Sequence, residues 1–194
     1  MESVKFEDMR QSMVDSQLRT SGVTDAWVVA AMGSIAREDY VPATHRATAY
    51  MDRSIALDDG TVLNPPVSSA LLLQAAEVRS DDTVLLVGKA DSYVAAILRA
   101  RVGGLTAVAP DNVSAAKPAA PFSLIVIDGA AEELPTSVLS LAADGARLVT
   151  GVIEGSVTRL AKGRIHNGRV ALKSFADSEI TPLAPFARKP EFVF

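Results

Sequence analysis

The residues best placed for chemistry follow a short apolar run, Thr83-Val84-Leu85-Leu86-Val87-Gly88, and read Lys89-Ala90-Asp91-Ser92-Tyr93. A glycine, a cation and a carboxylate at the end of a buried strand suit a ligand loop, because small ligands bind beyond the carboxyl ends of parallel strands where strand order reverses. The loop is a poor cradle, however, since only Gly88 frees the backbone for close approach; an ordinary strand-to-helix turn is the competing reading. Asp128 ends a second apolar run, Ser123 to Asp128, and either lines the same edge or caps the next turn. His45 and His166 are the two histidines and lack a paired acid, so turn or surface roles are expected for them. Asp58-Asp59 beside Gly60 reads as a solvated turn and not as a metal site, and with Cys 0 there is no thiolate ligand or nucleophile.

The elements that must position these residues follow from periodicity. Phe6, Met9, Met13, Val14 and Leu18 recur at helical spacing up to Ser21-Gly22. Thr24 or Asp25 caps a second helix over 26–32. Residues 35–66 are broken by Pro42, Gly60 and Pro65-Pro66, which forbid long elements, and an ordered loop of that length is usually functional. From Val67 onward helices over 67–77, 92–101 and 135–143 alternate with short apolar strands over 83–88, 105–109, 123–128 and 146–152. That alternation predicts an α/β fold with a right-handed, doubly wound parallel sheet. His166-Asn167-Gly168 sits between two alternating segments, 157–165 and 169–175, and predicts a closing antiparallel hairpin. The expected organisation is one compact domain, with residues 1–66 supplying N-terminal helices and a substrate-type loop and residues 67–194 a truncated Rossmann-like core.

Composition narrows the class. The 194 residues are 48% hydrophobic and carry a net charge of -4, from 19 Lys+Arg against 23 Asp+Glu. This excludes a disordered chain and argues against a nucleic-acid partner, which needs clustered positive charge. The basic residues of the final hairpin, Arg159, Lys162, Arg164, Arg169 and Lys173, are read as protection of an exposed edge. No apolar run approaches the roughly 18–20 residues of a membrane span, and the N-terminal MESVKFEDMR lacks the apolar block of a secretory signal. A soluble, cytoplasmic protein without membrane or metal is expected.

Ordered segments over most of the chain resemble the protein-L-isoaspartate (D-aspartate) O-methyltransferase family. Arg37-Glu38-Asp39-Tyr40-Val41-Pro42 is similar to its R-E-x-F-V-P, Ala49-Tyr50-Met51-Asp52 to its A-Y-x-D, and Gly145-Ala146-Arg147-Leu148-Val149 to its G-G-R-L-V. The resemblance implies a methyltransferase sheet, S-adenosylmethionine as methyl donor and isoaspartyl proteins or peptides as substrate. It implies cofactor-binding positions at Gly88, Asp91, Tyr93 and Asp128, and a substrate loop containing Gly60, Thr61, Val62, Asn64 and Pro66. Asn64 stands at the family's serine position and is the candidate catalytic residue.

The departures from the family pattern are as specific. Its V-L-E-I-G-T-G-S-G-Y is here Val84 to Tyr93, with Leu86 for the acid, Lys89 where a sulfonium should be faced, and Ala90 for a glycine. The strand 105–109 is followed by Pro110, and Asp111 comes too late to replace the acid expected to bind ribose. Val62 and Asn64 replace a threonine and a serine. Residues 110–121, PDNVSAAKPAAP, are too few for a further strand and its crossovers, so one βα unit is expected to be missing. The resulting expectation is a non-catalytic or weakly active homologue with a binding or structural role, its partner another protein or a second copy; the alternative is an active repair enzyme.

Overall fold

The computed structural model describes residues 2–188; the apolar end Phe192-Val193-Phe194, expected to dock on the sheet or on a partner, lies outside them. The first helix, α1 (Glu2–Met13), runs directly into a π-helical stretch, Val14–Leu18, and buries Met13, Val14 and Leu18. Gly22 then reverses the chain at φ +86°. Asp25, and not Thr24, caps α2 (Ala26–Ser34), its carboxylate accepting from the Trp27 and Val28 amides. Residues 35–65 form two 3-10 segments, Arg37–Tyr40 and Ala43–Thr48, and a small hairpin of β1 (Ile55–Ala56) and β2 (Val62–Leu63). Helix α3 (Pro66–Ala76) starts on a proline, whose missing amide costs nothing there.

The main sheet begins with β3 (Thr83–Val87), followed by α4 (Tyr93–Arg99), capped by Ser92, and by β4 (Gly104–Val108). The chain then crosses back to β5 (Phe122–Ala131), makes a single helical turn α5 (Thr136–Leu139), and enters β6 (Ala142–Glu154). These four strands are parallel in the order β4-β3-β5-β6. Strand β7 (Val157–His166) turns back antiparallel on β6, and β8 (Arg169–Val170) and β9 (Lys173–Asp177) pair with β7. Thus β4 is an edge strand among the described residues, and only the 3-10 segment Pro110–Ala115 leads from it toward β5. Between β4 and β5 no further strand is formed among the described residues, as the shortness of residues 110–121 requires.

Two expected boundaries differ. The helix over 135–143 shrinks to α5 because Ala142 already pairs with Phe122 in the sheet and Gly145 takes φ +80°. The Asn167-Gly168 turn forms, both residues at positive φ, and the expected arm after it pairs with β7 in two pieces, β8 and β9, interrupted at Ala171-Leu172; the longer antiparallel pairing is that of β6 with β7. Arg159 in this region pairs with Glu154 and Asp177, and Lys162 with Glu77, so these cations are spent on neighbouring acids.

Alternation along the strands divides the core. Val84 and Leu86 of β3 and Leu124 and Val126 of β5 face helices α1 to α4, whereas Leu85, Val87, Ile125 and Ile127 face the opposite side, with Val113, Val138 and Phe186. Both faces of these strands are buried, as their unbroken apolar runs require. Gly151 of β6 lies in a tight part of the sheet: a Cβ there would sit 2.9 Å from the Ala130 Cα and 2.7 Å from Ile180 Cγ2. Gly151→Ala is expected to cost about 1–3 kcal/mol by overpacking, read as a lower urea midpoint at unchanged m-value. No helix among the described residues is long and apolar enough to cross a membrane.

Candidate active site

Strand β3 leads to β4 on one side while the next strand, β5, lies on its other side, so strand order reverses between β3 and β5. A cleft of about 790 Å³ opens there, past the carboxyl ends of both strands, within the range of roughly 300–1,000 Å³ typical of small-molecule sites. Gly88, Lys89, Asp91, Ser92 and Tyr93 form one wall and Asp128 lies on the floor; a Cβ built on Gly88 would be 3.4 Å from that of Asp128. Gly60, Thr61 and Val62 come in from the β1–β2 hairpin as the opposite wall. The structure therefore brings together seven of the nine expected cofactor, substrate-loop and catalytic positions, Gly60, Thr61, Val62, Gly88, Asp91, Tyr93 and Asp128.

Asn64 and Pro66 stand behind that wall and do not line it. Asn64 is 2% exposed and its carboxamide is fully engaged. Its Nδ2 donates to Asp128 Oδ1 at 2.9 Å, and its Oδ1 accepts from the Thr181 amide and hydroxyl, each at 2.9 Å. The expected contact with a reacting group is thus replaced by a brace between the strand end and the C-terminal segment. Pro66 is buried as the first residue of α3.

Beneath the floor Arg37 is completely buried, donating Nε to the Ala49 carbonyl at 2.7 Å and Nη2 to the Asn64 carbonyl at 2.6 Å. Its guanidinium lies 5.1 Å from the centroid of the Tyr93 ring, and burial lowers its pKa to about 10. Tyr93 is also fully buried, its hydroxyl pushed up by desolvation. Tyr50 and Asp52 act at a distance from the cleft: the Tyr50 hydroxyl donates to Glu38 and accepts from Arg10 Nε, and Asp52 accepts from the Val67 amide at the start of α3.

Burial raises the Asp128 carboxyl above its ordinary pKa, against the Asn64 hydrogen bond and the field of Arg37, which lower it. The folded value then exceeds the unfolded value of about 3.9, so the unfolded chain releases this proton first as pH rises. Asp128 costs stability through that interval. The stability of Asp128→Asn relative to wild type is expected to increase between about pH 3 and pH 7, measured by urea unfolding at both; a difference independent of pH would contradict it.

Three of the departures change meaning in the fold. Lys89 does not stand alone: its ammonium is ion-paired with Asp59 and lies 3.7 Å from Asp91 Oδ1, so the loop presents more negative than positive charge. Ala90 needs no left-handed backbone, since Glu77 and Asn167 are the only non-glycine residues at positive φ among those described. Asp111, expected to fall too late in the chain, lines the cleft wall together with Pro110. Sequence reasoning missed Thr181 and Leu183 altogether. They reach the cleft because Leu183 N donates to the Ala130 carbonyl and Ala130 N to that of Thr181, each at 2.8 Å, a pairing with no local signal. His166 lies 3.4 Å from Asp144 on an exposed turn away from the cleft, and no group of three potential metal ligands occurs among the described residues.

A Rossmann-like sheet with an acid-rich cleft at its switch point and an antiparallel end defines the class, that of the methyltransferase-type α/β proteins. Residues 9–109 match the family description protein-L-isoaspartate(D-aspartate) O-methyltransferase. The protein-L-isoaspartate O-methyltransferase of Methanoculleus marisnigri is 30% identical, over 88% of this chain and 89% of that protein. That of Methylorubrum populi is also 30% identical, over 90% and 94%. Among solved structures, a protein-L-isoaspartate O-methyltransferase superimposes with TM-score 0.75 at 15% identity, over 92% of this chain and 67% of that one. A Plasmodium falciparum chain assigned to the same class, in complex with S-adenosyl-L-homocysteine, gives 0.71 at 15% identity over 91% and 98%. The chain belongs to the protein-L-isoaspartate(D-aspartate) O-methyltransferase family.

Proposed function

We propose that this chain transfers a methyl group from S-adenosylmethionine to isoaspartyl carboxylates of proteins or peptides. The observation that carries this reading is the charge of the switch-point cleft: Asp91, Asp111 and Asp128 line it, and its one loop cation, Lys89, is balanced by Asp59. A sulfonium is a cation, and the carboxylate-rich lining favours it where an unpaired Lys89 would repel it. The relatives support the active alternative over the non-catalytic homologue expected from the sequence.

The donor set fits the adenosyl group. Asp111 would accept from ribose hydroxyls in the manner of acidic residues that follow the second strand of such sheets. Gly88, Asp91 and Tyr93 would form the cofactor side, and Gly60, Thr61 and Val62 the substrate side, with Asn64 and Pro66 holding the substrate side in place. When bound, S-adenosylmethionine supplies the electrophilic methyl carbon. No general base is required, because a carboxyl with a pKa near 4 is already ionised at pH 7. The protein's part is orientation: holding two reactants in line is worth orders of magnitude in rate. Leu57, Pro42 and Leu183 supply apolar wall that keeps water from the reacting atoms. The cysteine-free, mildly acidic composition supports a cytoplasmic setting.

Calorimetry with S-adenosylhomocysteine and transfer of labelled methyl to an isoaspartyl peptide, with the aspartyl peptide as control, test this reading. Binding tighter than about 1 mM with methylation confined to the isoaspartyl peptide is expected. Absence of both would overturn it in favour of a non-catalytic binding role, the reading favoured by the single glycine of the 88–93 loop and the missing βα unit.

A further inference from the structure

The tip of the β1–β2 hairpin is built to hold itself together; Leu57 at its base packs against the core, and its polar contact with the rest of the molecule runs through one carboxylate. Within the tip, the Leu57 amide donates to the Thr61 carbonyl at 2.9 Å and the Gly60 amide to the Leu57 carbonyl at 3.0 Å. The Thr61 amide and hydroxyl both donate to Asp59 Oδ1, at 3.0 and 2.6 Å. This leaves Asp59 Oδ2, which accepts from the Lys89 ammonium. Among the described residues that ion pair is the only hydrogen bond or salt bridge between residues 57–61 and the remainder of the chain.

The two sides of the contact differ in rigidity. Lys89 directly follows β3, and its loop is closed by the Ser92 amide bonding the Lys89 carbonyl at 3.3 Å and by the Ser92 cap of α4. The hairpin has only two residue pairs, Ile55↔Leu63 and Ala56↔Val62, and is rooted by the buried Ile55 and Leu63 while residues 58–61 are exposed. A two-stranded ribbon is marginal by itself. Both sides line the same cleft, so the pair joins two of its walls.

We propose that Asp59 and Lys89 form an ionic clasp that holds the hairpin tip against the switch-point loop, so that ligand access to the cleft is governed by opening and closing of this one ion pair. Both are positioning residues, acting on the hairpin and not on reacting atoms. Asp91, whose Oδ1 is 3.7 Å from the same ammonium, gives Lys89 a second carboxylate when the clasp opens. Neither state then strands an unpaired cation. The side chains of Lys89 and Asp59 are 36% and 43% exposed, so water and salt reach the pair and it biases the two states by about two- to fivefold. A bias of that size suits a gate, where a deeply buried pair would act as a lock.

The clasp is read on the ligand-free full chain, independently of any methyl transfer, by amide hydrogen exchange at Leu57, Gly60 and Thr61. Lys89→Met is expected to speed exchange there about two- to fivefold while β3 and β5 amides keep their protection, which shows the fold intact. Lys89→Arg should restore the wild-type rates. Raising salt from about 0.05 to 1 M should reproduce the acceleration in wild type, as the screening length falls toward about 3 Å, and should leave Lys89→Met unaffected. Exchange at the tip that is unchanged in both Lys89→Met and 1 M salt would overturn the proposal, as would an Asp91→Asn variant that matches Lys89→Met. Because no methyl donor enters the measurement, a failed methylation assay does not bear on it.

Discussion

Asn64→Ala is expected to lower the free energy of unfolding by about 2–4 kcal/mol and to abolish binding in the cleft. One carboxamide there joins three segments that are distant in sequence: the β2–α3 junction, the end of β5 through Asp128, and the C-terminal segment through Thr181. Removing it deletes three hydrogen bonds worth about 1 kcal/mol each and leaves Asp128 and the Thr181 amide without their partner in a largely desolvated place. Urea unfolding reads the stability, and calorimetry with S-adenosylhomocysteine reads the cleft. Thr181→Val removes only one of the three bonds and should cost about 1 kcal/mol. If the two variants cost the same, Asn64 is not the brace described here.

The second large effect lies at the opposite end of the sheet. Asp82, just before β3, accepts from Arg147 Nη2 of β6 at 2.5 Å, from the Ser123 hydroxyl at 2.8 Å and from the Arg79 amide at 2.7 Å. Arg147 and Asp82 side chains are only 10% and 6% exposed. Asp82→Ala would leave the guanidinium buried without its counter-charge, which costs about 3–5 kcal/mol. At roughly 2–4 °C per kcal/mol for a chain of this size, the melting temperature should fall on the order of 10 °C. The double variant with Arg147→Met removes the stranded charge and should recover part of the loss, a non-additivity that a double-mutant cycle reads directly. Because this knot ties the amino-terminal ends of β3, β5 and β6, S-adenosylhomocysteine affinity measured well below the melting temperature should stay near wild type. Loss of affinity in proportion to stability would contradict the separation of the two ends.

These two sites differ in how they could be found. The cleft has a local signature, since an apolar strand ending in glycine and a second ending in aspartate mark the ligand edge of a parallel sheet. The Asp82–Arg147 pair has none, because 65 residues separate its partners.

What the sequence alone determined is what depends on neighbouring residues. The continuous apolar runs of β3 and β5 could be satisfied only by strands buried on both faces. Asn167-Gly168 could supply two positive φ values cheaply, and the twelve residues 110–121 could not hold a strand with two crossovers. The family resemblance likewise rests on such local segments. Tertiary structure decided everything that turns on which group faces which. Asn64 points into a brace because Thr181 is delivered by the Ala130 pairing; Ala142 extends β6 because Phe122 lies beside it. Lys89 is a hazard to a sulfonium when read alone and a neutralised clasp when Asp59 arrives from the hairpin. Charge is a property of the pair and the space around it, and that space is set by contacts between residues far apart in the chain.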